Sequence, residues 1–171
     1  MKNLPRNSLS YLLVLTFGLA GFEPPSFAAS QKGPDMTSSS VSSPSDERSI
    51  VESVPMEYFA ALRDQDIDAV LSLYSEDGEL SAPASPPAAG KQALRTAYEH
   101  LFKAVRFEMK HKANTVTIMA PTWAFVRTSS TGTTITIATG EAQPAAFEEL
   151  FILRKEQDGK WRIAEYMTTP I

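Results

Sequence analysis

Three tyrosines, Tyr58, Tyr74 and Tyr98, stand 16 and 24 residues apart, each among apolar residues at helical spacing. A buried phenol has to hydrogen-bond to something. Three phenols in contact make a donor array suited to a ligand oxygen on which negative charge gathers. The same side chains serve equally as core filler with their hydroxyls tied to backbone. Glu149 is in strand phase with Phe147, Phe151 and Leu153, company in which a carboxyl is either neutral, with a raised pKa, or paired with a cation. Arg127, in phase with Trp123 and Phe125, is the candidate cation. The alternative is a strand start with Glu148 and Glu149 both wet, because a register slip of one residue exchanges the faces. His111, in phase with Phe107 and Met109, is either a further acid–base group or a partly covered strand residue. The residues expected to contact a ligand are therefore Tyr58, Tyr74, Tyr98, Trp123, Arg127 and Glu149, and the candidates for acid–base chemistry are Glu149 and His111.

Other chemistries are excluded by residue type. The absence of cysteine rules out a Cys nucleophile and a thiolate metal site. The two histidines, His100 and His111, belong to different elements, so no metal site is expected. No Gly-rich phosphate loop is present, and no cofactor is expected. A formal net charge of −4, without a basic stripe, gives no electrostatic reason to bind nucleic acid or anionic lipid.

The chain opens with Lys2 and Arg6, an apolar run from Tyr11 to Phe22, and small side chains at Ser26 and Ala28. That layout predicts a signal peptide over 1–28, cut after Ala28, because the run is too short to span a bilayer. The protein is thus expected to be exported, periplasmic or secreted, with no membrane contact after cleavage. Residues 29–47 are rich in Ser, with Gly33, Pro34 and Pro44, and read as a flexible linker. A single domain over 48–171 remains.

Within that domain the hydrophobic period is helical up to about Ala104. Val51, Pro55, Tyr58 and Leu62 share one helix face, which Pro55 should kink unless the regular part starts there. Asp66 is placed to cap a second helix carrying Ile67, Val70, Leu71 and Tyr74. EDGELSAP is extended, with Asp77 in the turn that ends the helix, and SPPAAG is a loop. Leu94, Ala97, Tyr98 and Leu101 make the stripe of a third helix. The period then falls to two, predicting strands at 106–111, TVTIMA, WAFVRTSS, TTITIAT and a hairpin of FEELFILRK with KWRIAEYM across Gln157-Asp158-Gly159. Helices followed by antiparallel strands indicate α+β, with the helices on one face of the sheet.

This order, together with Tyr58, Ala60, Ala61, Leu62, Asp66, Ile67, Asp68, Ala69, Leu73, Tyr74 and Asp77 and the closing stretch from Glu149 to Met167, resembles the nuclear-transport-factor-2-like superfamily. That superfamily includes ketosteroid isomerases and SnoaL-like polyketide cyclases. The resemblance implies a cone-shaped, cystatin-like fold with three N-terminal helices packed on a curved antiparallel sheet. In ketosteroid isomerases a carboxylate removes a proton beside a carbonyl, while a tyrosine and a protonated carboxylic acid hold the enolate oxygen. The resemblance puts the tyrosine trio on Tyr58, Tyr74 and Tyr98, the protonated acid on or next to Glu149, and the proton-removing base on Ala82. A methyl group takes no proton, and Glu79, at an odd offset along a strand, faces the other way. The favoured expectation is a protein that binds a small apolar ligand. An isomerase, cyclase or hydratase with a displaced base is the alternative. A third reading is an interaction module using Tyr166 and Ile163 on the outer sheet face. A homodimer through the sheet is compatible with all three.

Overall fold

The chain enters its first helix at Ser43, whose hydroxyl accepts from the Asp46 amide while the Asp46 carboxylate accepts from the Ser43 amide. This reciprocal cap satisfies two amides that the first turn leaves without partners. The computed structural model describes residues 43–171. The signal segment and residues 29–42 of the expected linker lie outside them, and 44–47, assigned above to the linker, are helical. Helix α1 (Pro44–Asp64) runs on through Pro55, so the helix neither starts nor stops there. Val51, Val54, Tyr58 and Leu62 are buried along it, and their packing outweighs the one missing amide. Lys155 Nζ and Trp161 Nε1 both donate to Glu47 Oε1, at 2.8 and 2.5 Å, and so fasten the start of α1 to the last hairpin.

Helix α2 (Ile67–Ser72) ends two residues before Tyr74, the last residue of its apolar pattern. Tyr74 therefore opens strand β1 (Tyr74–Ser81) instead of closing a helix. Two contacts favour this: Lys91 Nζ donates to the Leu71 and Tyr74 carbonyls at 2.6 and 2.7 Å, and Tyr74 sits beside Ile163 in the sheet. After a two-residue strand β2 (Ala88–Ala89) and helix α3 (Gly90–Ala104), four long strands complete the chain: β3 (Val105–Ala120), β4 (Trp123–Thr136), β5 (Ala142–Lys155) and β6 (Trp161–Pro170). The pieces expected at 106–111 and 115–120 are one strand, as are 123–130 and the first part of TTITIAT (133–139), whose last three residues lie in the turn after β4. The single sheet has the order β2-β1-β6-β5-β4-β3. All neighbours are antiparallel except β1 and β6, which are parallel. The helices pack on one face of this curved sheet, giving the α+β cone.

Bulges decide which side chains face the helices. In β6 one extra residue, Ala164, sits between the Ile163–Leu153 and Glu165–Ile152 pairs. Ile163 at 0% exposure and Tyr166 at 5% consequently both face inward although they are three apart. This corrects the placement of Tyr166 and Ile163 on the outer face. Asn114 does the same in β3, so the inward phase passes from His111 and Ala113 to Val116. Gly132 of β4 lies where the neighbouring strand comes too near for a side chain, since an added Cβ would clash with the Glu108 carbonyl oxygen. The variant Gly132→Ala is expected to lose about 2 kcal/mol of stability through overpacking, read by urea unfolding, and a neutral result would contradict this register.

Candidate functional site

Between the helices and the inner face of the sheet lies a cavity of about 320 Å³. Its walls are mostly apolar: Phe59 and Leu62 from α1, Leu101 from α3, Phe107 and Met109 from β3, and Phe147 from β5. Leu80, Ala82 and Pro83, at the end of β1 and just beyond it, also border it. Ala82 therefore presents its methyl to the cavity, and Glu79, which is not among the lining residues, pairs in the sheet with Glu165 and Ala89.

The tyrosine trio assembles from three different elements. Tyr98 on α3 is its centre, with its hydroxyl 2.9 Å from that of Tyr58 on α1 and 2.8 Å from that of Tyr74 on β1. All three rings are buried, and only Tyr58 and Tyr98 reach the cavity. The direction of the chain follows from counting protons. Tyr74 has Tyr98 as its one side-chain partner among the described residues, so its proton is satisfied only by donating to Tyr98. Tyr98 then donates to Tyr58, and the Tyr58 proton is left for the cavity. The reverse order would strand a hydroxyl proton in the core, at about 1–3 kcal/mol. Burial pushes all three phenols up from the ordinary tyrosine pKa, so each is a donor and not a phenolate at neutral pH. The Tyr166 ring packs 4.9 Å from that of Tyr58 and also borders the cavity.

Glu149 is buried at 5% exposure and reaches the same cavity. Its partners are not the ones expected. Thr128 Oγ1 donates to Oε2 at 2.7 Å and Ser130 Oγ donates to Oε1 at 2.5 Å. Arg127 pairs with Leu150 and lies exposed on the other face, so there is no Arg127–Glu149 ion pair. Trp123 shares that outer face, where the Arg154 guanidinium sits 5.8 Å above its ring. Neither Arg127 nor Trp123 borders the cavity. Asp77 belongs to β1, not to a helix-ending turn, and binds Arg154 in a surface pair. Burial raises the Glu149 pKa above the ordinary carboxylate value, against the two hydroxyls that hold it down.

His111 borders the cavity as well. Its imidazole stacks on the Phe59 ring, with centroids 3.7 Å apart and planes at 5°, and its Nδ1 lies 2.7 Å from Ser130 Oγ. Burial lowers its pKa to about 4, so the ring is neutral at neutral pH. Thr128 and Ser130 were missed above. They alternate with Trp123, Phe125 and Arg127 in WAFVRTSS, and the larger apolar residues of the wrong phase drew the inward assignment. No group of His, Cys, Asp and Glu suited to a metal ion occurs among the described residues.

Because the folded Glu149 carboxyl holds its proton to higher pH than the unfolded one, its contribution to stability falls as pH rises from about 4.3 to its raised value, and is constant above. Glu149→Gln should abolish that slope, so its stability relative to the parent should climb across this window. Parallel pH dependences in urea unfolding would contradict a raised pKa.

Residues 56–164 match the family model described as the SnoaL-like domain. No curated protein matches the chain. Among solved structures, a ketosteroid isomerase-like protein from Erwinia carotovora atroseptica SCRI1043 is 39% identical, covering 74% of this chain and 97% of that one, with a TM-score of 0.72. A conserved protein from Planctomyces limnophilus DSM 3776 is 22% identical, with 73% and 98% covered and a TM-score of 0.64. A protein with a cystatin-like fold from Nostoc punctiforme PCC 73102 is 16% identical, with 75% and 93% covered and a TM-score of 0.60. These last two share the fold.

Proposed function

Because the chain belongs to the SnoaL-like domain family, we propose that it is an exported protein that binds a compact, mostly apolar molecule through one oxygen atom. The observation that carries this reading is the cavity itself: apolar walls, a Tyr58 hydroxyl that among the described residues has Tyr98 as its hydrogen-bond partner and otherwise faces the cavity beside Tyr166, and a methyl, Ala82, where the isomerase resemblance places a base. Its volume of about 320 Å³ is at the lower end of ordinary ligand sites, which favours a small ring system over a long lipid. Tyr58, reinforced by Tyr98 and Tyr74 behind it, donates to the ligand oxygen. Glu149, when protonated, offers a second donor. Export rests on the N-terminal pattern of Lys2, Arg6 and the run from Tyr11 to Phe22.

Native mass spectrometry of protein recovered from its own host reads both parts at once. The expected result is a subunit beginning at Ala29 that carries a small bound molecule. With 2-naphthol as a probe in calorimetry, Tyr58→Phe should weaken binding by about 1 kcal/mol, roughly fivefold in Kd. Absence of both a co-purified molecule and any affinity for aromatic alcohols and ketones would overturn the reading.

A homodimer through the outer face of the sheet is a second, compatible proposal. Phe125 lies opposite Ile152 and Leu150 opposite Met167 on that face, an apolar row flanked by Trp123 at 37% exposure. Sedimentation equilibrium should find a dimer that Ile152→Arg converts to monomer. A monomeric parent would remove this proposal.

A further inference from the structure

Thr168, Glu149, Ser130 and His111 form a polar belt across the cavity floor on β6, β5, β4 and β3, with direct cross-strand pairs at each end and a diagonal step from Glu149 to Ser130. Within it two contacts run in series: His111 Nδ1 to Ser130 Oγ at 2.7 Å, and Ser130 Oγ to Glu149 Oε1 at 2.5 Å. Ser130 has one proton. When that proton is donated to the Glu149 carboxylate, Ser130 has none to give His111, so His111 must donate from Nδ1 and its Nε2 is left with a bare lone pair. Nε2 has no partner among the described residues.

We propose that His111, Ser130 and Glu149 form a proton wire that takes a proton from a bound molecule at His111 Nε2 and stores it on Glu149. This rests on the ligand reading above and adds chemistry to it. The protons balance in a single relay. A C–H bond beside the ligand's carbonyl breaks, its proton goes to Nε2, the Nδ1 proton passes to Ser130 Oγ, and the Ser130 proton passes to Glu149 Oε1. The electron pair of the C–H bond becomes the enolate, whose oxygen accepts from Tyr58. The wire ends with Glu149 as a neutral acid donating to Ser130, Ser130 donating to Nδ1, and the proton on Nε2. Reversal returns a proton to the same carbon or to a conjugated one, so no oxidant or co-reactant is needed.

The surroundings favour a wire over a simple histidine base. Phe59 covers one face of the imidazole, and burial makes a cationic ring unfavourable. The same relay neutralises the buried carboxylate, so the stored proton removes a charge from the interior where a cationic His111 would have added one. The other polar groups facing the wire are Tyr58 on α1, Tyr98 on α3, Thr128 on β4 and Tyr166 and Thr168 on β6. Burial pushes the phenols Tyr58, Tyr98 and Tyr166 up in pKa. Arg63 borders the outer groove beyond His111 and is engaged by Asp64.

Two measurements decide the proposal. The chain has two histidines, so side-chain ¹⁵N spectra are simple, and His111→Phe, which keeps a ring on Phe59, assigns them. At neutral pH His111 should carry its proton on Nδ1. As Glu149 becomes protonated, the proton should appear on Nε2 and leave Nδ1, with the ring still neutral, and Ser130→Ala should abolish that coupling. An Nε2-protonated ring at neutral pH, or an imidazolium forming over the Glu149 titration, overturns the wire. The second measurement is exchange of the α-protons of 2-tetralone in D₂O, with its binding checked by calorimetry. The parent should exchange them at least tenfold faster than buffer, and the rate should fall once Glu149 is protonated. His111→Phe should return the rate to that of buffer. Ser130→Ala should slow it about tenfold and move its pH dependence from Glu149 to His111. Binding with exchange at the buffer rate overturns the catalytic wire and leaves the ligand reading intact. Absence of binding counts against the ligand reading and leaves the ¹⁵N result to decide the wire.

Discussion

The Tyr98 hydroxyl joins α3 to α1 and to β1 at one point, since it is the shared partner of Tyr58 and Tyr74. Three large side chains at 0–2% exposure meet there with their polar ends turned to one another and, for Tyr58, to the cavity, and a buried hydroxyl without a partner costs more than the bond itself contributes. The helices are therefore held to the sheet in an arrangement that satisfies all three phenols together. The apolar packing around them, with Phe151 5.4 Å from the Tyr58 ring, supplies most of the gross stabilisation. The hydroxyls select which packing is allowed.

Much of this was legible in the residues because helix and strand periods differ so plainly on either side of Ala104. The final hairpin follows from that, whereas the inward phase of Glu149 is one of two registers the residues allow, and the meeting of the tyrosines is what the superfamily resemblance implies. What did not follow depended on registers between strands. Arg127 and Glu149 look like a natural pair in one dimension, yet Arg127 is opposite Leu150 and Thr128 is opposite Glu149. Size misled as well: Trp123 and Phe125 are better hydrophobes than Ala124 and Val126, but the smaller pair faces the crowded side, where Ala124 and Val126 are at 0% exposure. Tyr74 was assigned to a helix because its spacing fits one, and Lys91 and the neighbouring strand override that spacing.

The site combines two solutions to one problem, that of keeping oxygen and nitrogen atoms inside an apolar cone. One is a chain of phenols ending at the cavity. The other is the carboxylate held by Thr128 and Ser130, with His111 beyond. Both draw their members from several elements, so neither is visible as a local motif. Ala82 adds a methyl where a carboxylate would have imposed a second acidic group beside Glu149, so the cavity is less polar on that side than the isomerase pattern implies.

The extra residue at Ala164 has a consequence for inheritance. It works as a parity switch: residues before it face the core at odd numbers, and residues after it at even ones. Substitutions along β6 alter one side chain at a time and can be tried singly by descent. In a strand of unchanged length without the bulge, Glu165 and Met167 would take the places of Tyr166 and Thr168 in the lining, rewriting that wall in a single step. Lineages carrying this chain should thus vary β6 in letter far more freely than in the inward places of Tyr166 and Thr168.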